Sequence, residues 1–120
     1  MKKVLVIDDD DDFRNMLSAR LMKAGYTVLD AENGFRGLQV YRKEPVGVVI
    51  TDIIMPEKEG METILELKRV NPEVRIIAIS GGGRSTPEDY LNIAEYFGAV
   101  KSFMKPFDMN EFIETLDHLV

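Results

Sequence analysis

Short apolar runs alternate with longer amphipathic stretches along this chain. Val4–Ile7 is apolar throughout and gives way abruptly to charge at Asp8. That pattern predicts a buried strand over Lys3–Ile7. From about Asp11 to Ala24, Phe13, Met16, Leu17, Ala19, Leu21 and Met22 recur at helical steps, and Gly25 supplies a stop. The alternation then repeats. Strands are predicted at Tyr26–Ala31, Gly47–Thr51, Arg75–Ser80 and Val100–Met104. Helices are predicted at Gly34–Arg42, Glu59–Val70, Pro87–Phe97 and Asp108–Leu119, with Asn71-Pro72 ending the second of these and Asp108 able to cap the last. Strands that are apolar without alternation suit a parallel sheet covered on both faces. Right-handed crossovers then put helices on either side, giving an α/β, doubly wound sandwich of five β-α units.

Composition narrows this. The chain has 120 residues, the size of one ordinary domain, so residues 1–120 are read as a single unit. Hydrophobic residues make up 45% and charged residues 30%, which predicts a soluble protein with a sizeable core. The apolar runs Val4–Ile7 and Val46–Ile50 fall far short of the roughly 20 residues of a membrane helix. The opening Met-Lys-Lys lacks the longer apolar stretch of a signal peptide, and a cytoplasmic location is expected. No cysteine is present, which excludes disulfides and thiolate metal sites. A net charge of −6 without a Lys/Arg cluster argues against direct nucleic-acid binding.

In a doubly wound sheet, ligands sit beyond the carboxyl ends of the strands. Asp8 and Asp9 follow the first strand here, Asp52 the third, Ser80 and Gly81 the fourth, and Lys105 the fifth. Carboxylates brought close together repel, and a cation must join them or a proton must be taken up. Mg²⁺, or Mn²⁺, suits such oxygen ligands and is commonly held by carboxylates together with a phosphate oxygen. Lys105 offers a point charge for a phosphoryl oxygen and Ser80 a hydrogen bond. Gly81, lacking a Cβ, leaves room for a tetrahedral group. A carboxylate at Asp52 can serve as nucleophile and form an aspartyl phosphate.

Each residue also has a plainer reading. Asp10, Asp11 and Asp12 suit a helix cap and the helix dipole. A lone Asp at a strand end is commonly a turn residue, and Lys105-Pro106 alone is a loop. Gly82 and Gly83 read as loop, and His118 as a surface or capping residue. The coincidence of the right residue types at four strand ends favours the chemical reading of Asp8, Asp9, Asp52, Ser80 and Lys105.

The sequence resembles the receiver domain of bacterial two-component response regulators over essentially its whole length. The resemblance rests on Val-Ile-Asp-Asp at 6–9, Asp-Ile-Ile-Met-Pro at 52–56 with Gly60 following, Ile-Ser-Gly at 79–81, Gly98-Ala99 and Lys-Pro-Phe at 105–107. It implies a flavodoxin-like sheet in the order 2-1-3-4-5 and a phosphoacceptor at Asp52. It further implies direct metal ligation by Asp9 and Asp52, water-mediated ligation by Asp8, and a ligand from the carbonyl of Ile54. Ser80 and Lys105 would contact the phosphoryl group, and Pro56 and Gly60 would shape the loop after the third strand. The donor would be a sensor histidine kinase or a phosphotransfer protein, with small acyl phosphates as substitutes. Such a chain is not an enzyme in the usual sense, because it catalyses only its own phosphorylation and dephosphorylation. Its output would be a changed surface for a downstream protein partner or a phosphorylation-dependent homodimer, with no membrane involved.

Two features depart from the family pattern. Ser102 occupies the position, three residues before the lysine, where most receivers carry an aromatic residue that moves on activation. Phe103 follows it and by strand alternation points to the opposite face. The loop 81–87 is also longer and more glycine-rich than usual, as suits an element that orders on phosphorylation. The chain ends near the last helix without an output domain, which fits a stand-alone regulator or a receiver taken from a larger protein. Other classes stay open at this point. A haloacid-dehalogenase-type phosphatase would use Asp8 and Asp10, but Asp12 stands where that family usually has Thr. A degenerate receiver would act only as a binding module. A calcium loop would use Asp8, Asp10 and Asp12, but Ala19 stands where a bidentate Glu is needed.

Overall fold

The structure, a computed structural model, describes residues 2–53, 60–81, 92 and 94–120. Five strands form one parallel sheet: β1 (Lys3–Ile7), β2 (Thr27–Ala31), β3 (Val48–Asp52), β4 (Ile76–Ser80) and β5 (Lys101–Met104), in the order β2-β1-β3-β4-β5. Helices α1 (Asp11–Lys23), α2 (Gly34–Lys43) and α3 (Gly60–Val70) and a C-terminal helix (Met109–Leu119) connect and cover them. Residue 92 and residues 94–97 are helical too, in agreement with the helix predicted to end at Phe97. The rest of that helix and the loop beyond Gly81 lie outside the described residues.

Strand alternation sorts the core into two layers. Leu5, Ile7, Val49, Ile76 and Ala78 face α2 and α3, where they meet Leu38, Tyr41, Ile64 and Leu67. Val4, Val6, Val48, Ile50, Ile77 and Ile79 face the other way, onto Leu17 and Leu21 of α1 and Phe112 and Leu116 of the C-terminal helix. All five residues of β3 and of β4 are buried, which accounts for their unbroken apolar sequences. The outer strands β2 and β5 are partly exposed, because each has a neighbour on one side only.

Local chemistry sets the helix ends. Asp10, Asn33 and Asp108 cap their helices, accepting from the amides of Phe13, Arg36, and Asn110 with Glu111. At the end of α1, Gly25 adopts φ +99°. The amides of Gly25 and Tyr26 donate back to Met22 and Leu21 at 3.0 Å each, the paired bonds of a Schellman turn. At Gly60 an added Cβ would lie 2.2 Å from Ile53 Cα and 2.4 Å from the Asp52 carbonyl oxygen. A glycine there lets α3 start directly against the end of β3.

Candidate functional site

The ladder of the sheet continues past the strand ends and holds the turns that follow. The Asp8 amide donates to Ala31 O at 3.1 Å, Ile53 to Ile79 O at 3.0 Å and Lys105 to Ser80 O at 2.8 Å. Asp8, Asp52 and Lys105 therefore start from backbone positions set by their neighbours. Ile7 pairs with Thr51 and Asp52 with Ile79, which puts the ends of β1 and β3 side by side.

Asp8 is 1% exposed and Asp52 6%, very low for carboxylates. Each is compensated. Lys105 Nζ lies 3.0 Å from Asp8 Oδ2 and 3.3 Å from Asp52 Oδ2. The other Asp8 oxygen accepts from the Asp10 amide at 2.9 Å. Burial by itself lowers the Lys105 pKa, but the charges of Asp52 and Asp8 and the bonds to them outweigh it, and the ammonium is held above its ordinary value. Its Nζ also lies 4.0 Å from the centre of the Phe13 ring, a cation–π arrangement.

Buried Asp8, exposed Asp9 and buried Asp52 form one group. Each of Asp8, Asp9 and Asp52 offers a carboxylate oxygen within 4.8 Å of the others. Among the described residues, three carboxylates gather beside Lys105, an acidic group suited to a cation. The donors are all hard oxygens, which fits Mg²⁺ or Mn²⁺. Ser80 is fully buried, and among the described residues its Oγ has no hydrogen-bond partner. A buried hydroxyl of that kind is suited to a ligand that brings its own acceptor.

Asp8, Asp9, Asp52, Ser80, Gly81 and Lys105 lie at the carboxyl edge of the sheet. Ile54 lies outside the described residues, as does Pro56. Gly81 was expected to leave room for a tetrahedral group, but the room is used differently: an added Cβ would lie 2.4 Å from Lys105 Cβ and 2.6 Å from its Cδ. The space it opens is taken by the lysine stem. Asp10 is the α1 cap, its carboxylate accepting from Phe13 N at 3.1 Å, so an Asp8–Asp10 pair of the dehalogenase kind is not assembled. Phe103 points away from the Ser102 side, as alternation requires. It stacks on Phe112 with ring centres 5.0 Å apart, whereas Ser102 donates to Glu95 on the far face.

Arg14 was not expected from the sequence. Its Nη1 donates to the Asp8 carbonyl at 2.7 Å, while Nη2 meets Asp11 at 2.7 Å and Nε meets Asp30 at 3.4 Å. The available signal was electrostatic: a cation in the opening turns of a helix opposes the dipole and needs another reason to be there.

Known proteins share this sequence pattern and fold. The family described as response regulator receiver domain matches residues 4–117. The transcriptional regulatory protein GlrR of Escherichia coli (strain K12) is 35% identical over 114 residues, covering 95% of this chain and 25% of GlrR. This chain therefore spans about a quarter of that relative's length. The chemotaxis protein CheY of Thermotoga maritima is 33% identical over 117 residues, covering 97% of this chain and 95% of CheY. A crystal structure of a response regulator receiver domain protein from Clostridium thermocellum superposes with a TM-score of 0.90 at 28% identity, covering 99% of this chain and 94% of that one.

Proposed function

The chain belongs to the response regulator receiver family, and on that premise we propose that it is a phosphorylation-controlled switch with Asp52 as the acceptor. One observation carries the reading: buried Asp52 shares Lys105 with buried Asp8, while the buried Ser80 hydroxyl lacks a partner among the described residues.

In the transfer, an Asp52 carboxylate oxygen forms a bond to phosphorus as the donor's P–N bond breaks. The bonding pair leaves on the imidazole nitrogen of a sensor kinase or phosphotransfer protein. With a small acyl phosphate it leaves on the carboxylate oxygen instead. Lys105, already 3.3 Å from Asp52 Oδ2, is placed to pair with charge added at that carboxylate, and Ser80 to donate to it. Asp8, Asp9 and Asp52, with the carbonyl of Ile54, would hold Mg²⁺ or Mn²⁺, which supplies neutralisation of the transferring group. Hydrolysis of the aspartyl phosphate resets the switch, so its catalysis is confined to itself.

Phosphorylation then favours one of two arrangements of the surface made by the fourth helix, β5 and the C-terminal helix, and a downstream protein or a second copy reads that surface. Tyr96 is 85% exposed and Val100 44%, consistent with a face used by partners. The same reading has the protein working in the cytoplasm alongside its kinase.

The test is incubation with Mg²⁺ and a small acyl phosphate, followed by intact mass measurement. Wild type should gain a single phosphate and Asp52→Ala none. Phosphate retained by Asp52→Ala would move the acceptor elsewhere. No uptake from any donor would favour a module that only binds.

A further inference from the structure

Asp9 differs from its partners in the acidic group. Asp8 is held by the sheet, by Lys105 and by the Asp10 amide, and Asp52 ends a fully buried strand. Asp9 is exposed and stands one residue beyond Asp8, in the turn between β1 and α1. Its position depends on the course of the main chain as it leaves Asp8. Arg14 donates to the Asp8 carbonyl, the main-chain group just before Asp9. Its side chain is 13% exposed, and its guanidinium joins the Asp8 carbonyl to Asp11 at the start of α1 and Asp30 in β2. A planar fork with several donors can tie three elements at once, and a lysine cannot.

We propose that Arg14 is a positioning residue for the cation site, fixing the Asp8–Asp9 turn so that Asp9 stands ready beside Asp8 and Asp52. The inference rests on the reading of the acidic group as a Mg²⁺ site. Arg14 adds a positive charge close to that site, and by charge alone it opposes cation binding. Positioning and charge therefore predict opposite signs when it is removed.

The experiment is calorimetric titration of the full chain with Mg²⁺ alone, without any phosphodonor, for wild type, Arg14→Ala and Arg14→Lys. Thermal unfolding is followed for each. Loss of an outer-shell contact typically weakens metal affinity about 10-fold or more, and that weakening is expected for Arg14→Ala. Arg14→Lys keeps the charge but loses the fork, and is expected to be weakened as well. A role in stability alone would lower the melting temperature but leave the affinity of the folded protein unchanged. Arg14→Ala that binds Mg²⁺ as tightly as wild type, or more tightly, overturns the proposal. If Arg14→Ala does not fold, unchanged affinity in Arg14→Lys overturns it. Wild type that binds no Mg²⁺ overturns both this inference and the metal-site reading beneath it, whereas wild-type binding with unaltered variants overturns this inference alone.

Discussion

The centre of the sheet and its β5 edge are built on opposite terms. In the centre, β3 is buried along its whole length and hydrogen-bonded to β1 and β4. Asp52 sits at the end of that strand, and its position is over-determined by packing. At the edge, β5 pairs with β4 alone and its residues are half-buried or exposed. Met104 is 40% exposed, and the side-chain tie from β5 to the helix over it is Ser102 to Glu95. A nucleophile needs fixed geometry, because misplacement by about 1 Å can be costly in rate. On the proposed reading, a surface read by partners needs two arrangements close in energy, which weaker local packing would allow.

The largest contrast should appear in stability. Ile50 is fully buried in β3, and Ile50→Ala should cost about 4 kcal/mol, from lost burial and the cavity left behind. Met104→Ala at the edge should cost less than about 1 kcal/mol. Denaturant unfolding of the two variants checks this, and equal losses would break the contrast.

A smaller effect is expected at Tyr26, a polar tie within the otherwise apolar layer over α1 and the C-terminal helix. Tyr26 is buried, and its hydroxyl donates to Asp117. Burial first, then the bond to Asp117 and its charge, raise the phenol pKa well above its usual value. A raised folded-state pKa means the native state keeps a proton that the unfolded chain gives up. The stabilisation is therefore fully present below the unfolded value of about 10 and is lost as pH rises beyond it. Tyr26→Phe should lose about 1 kcal/mol at neutral pH and show a flatter decline in alkaline solution. A parallel decline in both proteins would assign the pH dependence elsewhere.

The smallest change in global stability should come from Ser102→Ala, within about 0.5 kcal/mol because the bond to Glu95 is exposed. Its effect should be local: faster amide exchange over residues 94–97, reproduced by Glu95→Ala and not increased in the double variant. Exchange unchanged there would show that the helix is held by Ala94 and its apolar neighbours alone.

Much of this was legible in the sequence. The runs Val4–Ile7 and Ile76–Ile79 announce buried parallel strands because both faces of such strands are covered. The residues just after them announce a site because the topology of a doubly wound sheet brings those positions together. Asp10 and Asp108 announce helix starts through their short carboxylate side chains. Arg14 was harder to read, since its three partners come from the turn after β1, from α1 and from β2, and only folding assembles them. Gly81 was legible as a place without a side chain, but not for what fills that place.

The order of residues along the chain thus determined which elements form, which faces they bury and which groups reach the carboxyl edge. These follow from local propensity, hydrophobic period and short-range hydrogen bonds, all carried by neighbours in sequence. Tertiary structure alone decided that Lys105 bridges Asp8 and Asp52, that its stem crosses Gly81, and that Phe103 finds Phe112 as its stacking partner. Each of these depends on distances between separate strands and helices, which are set when the sheet closes.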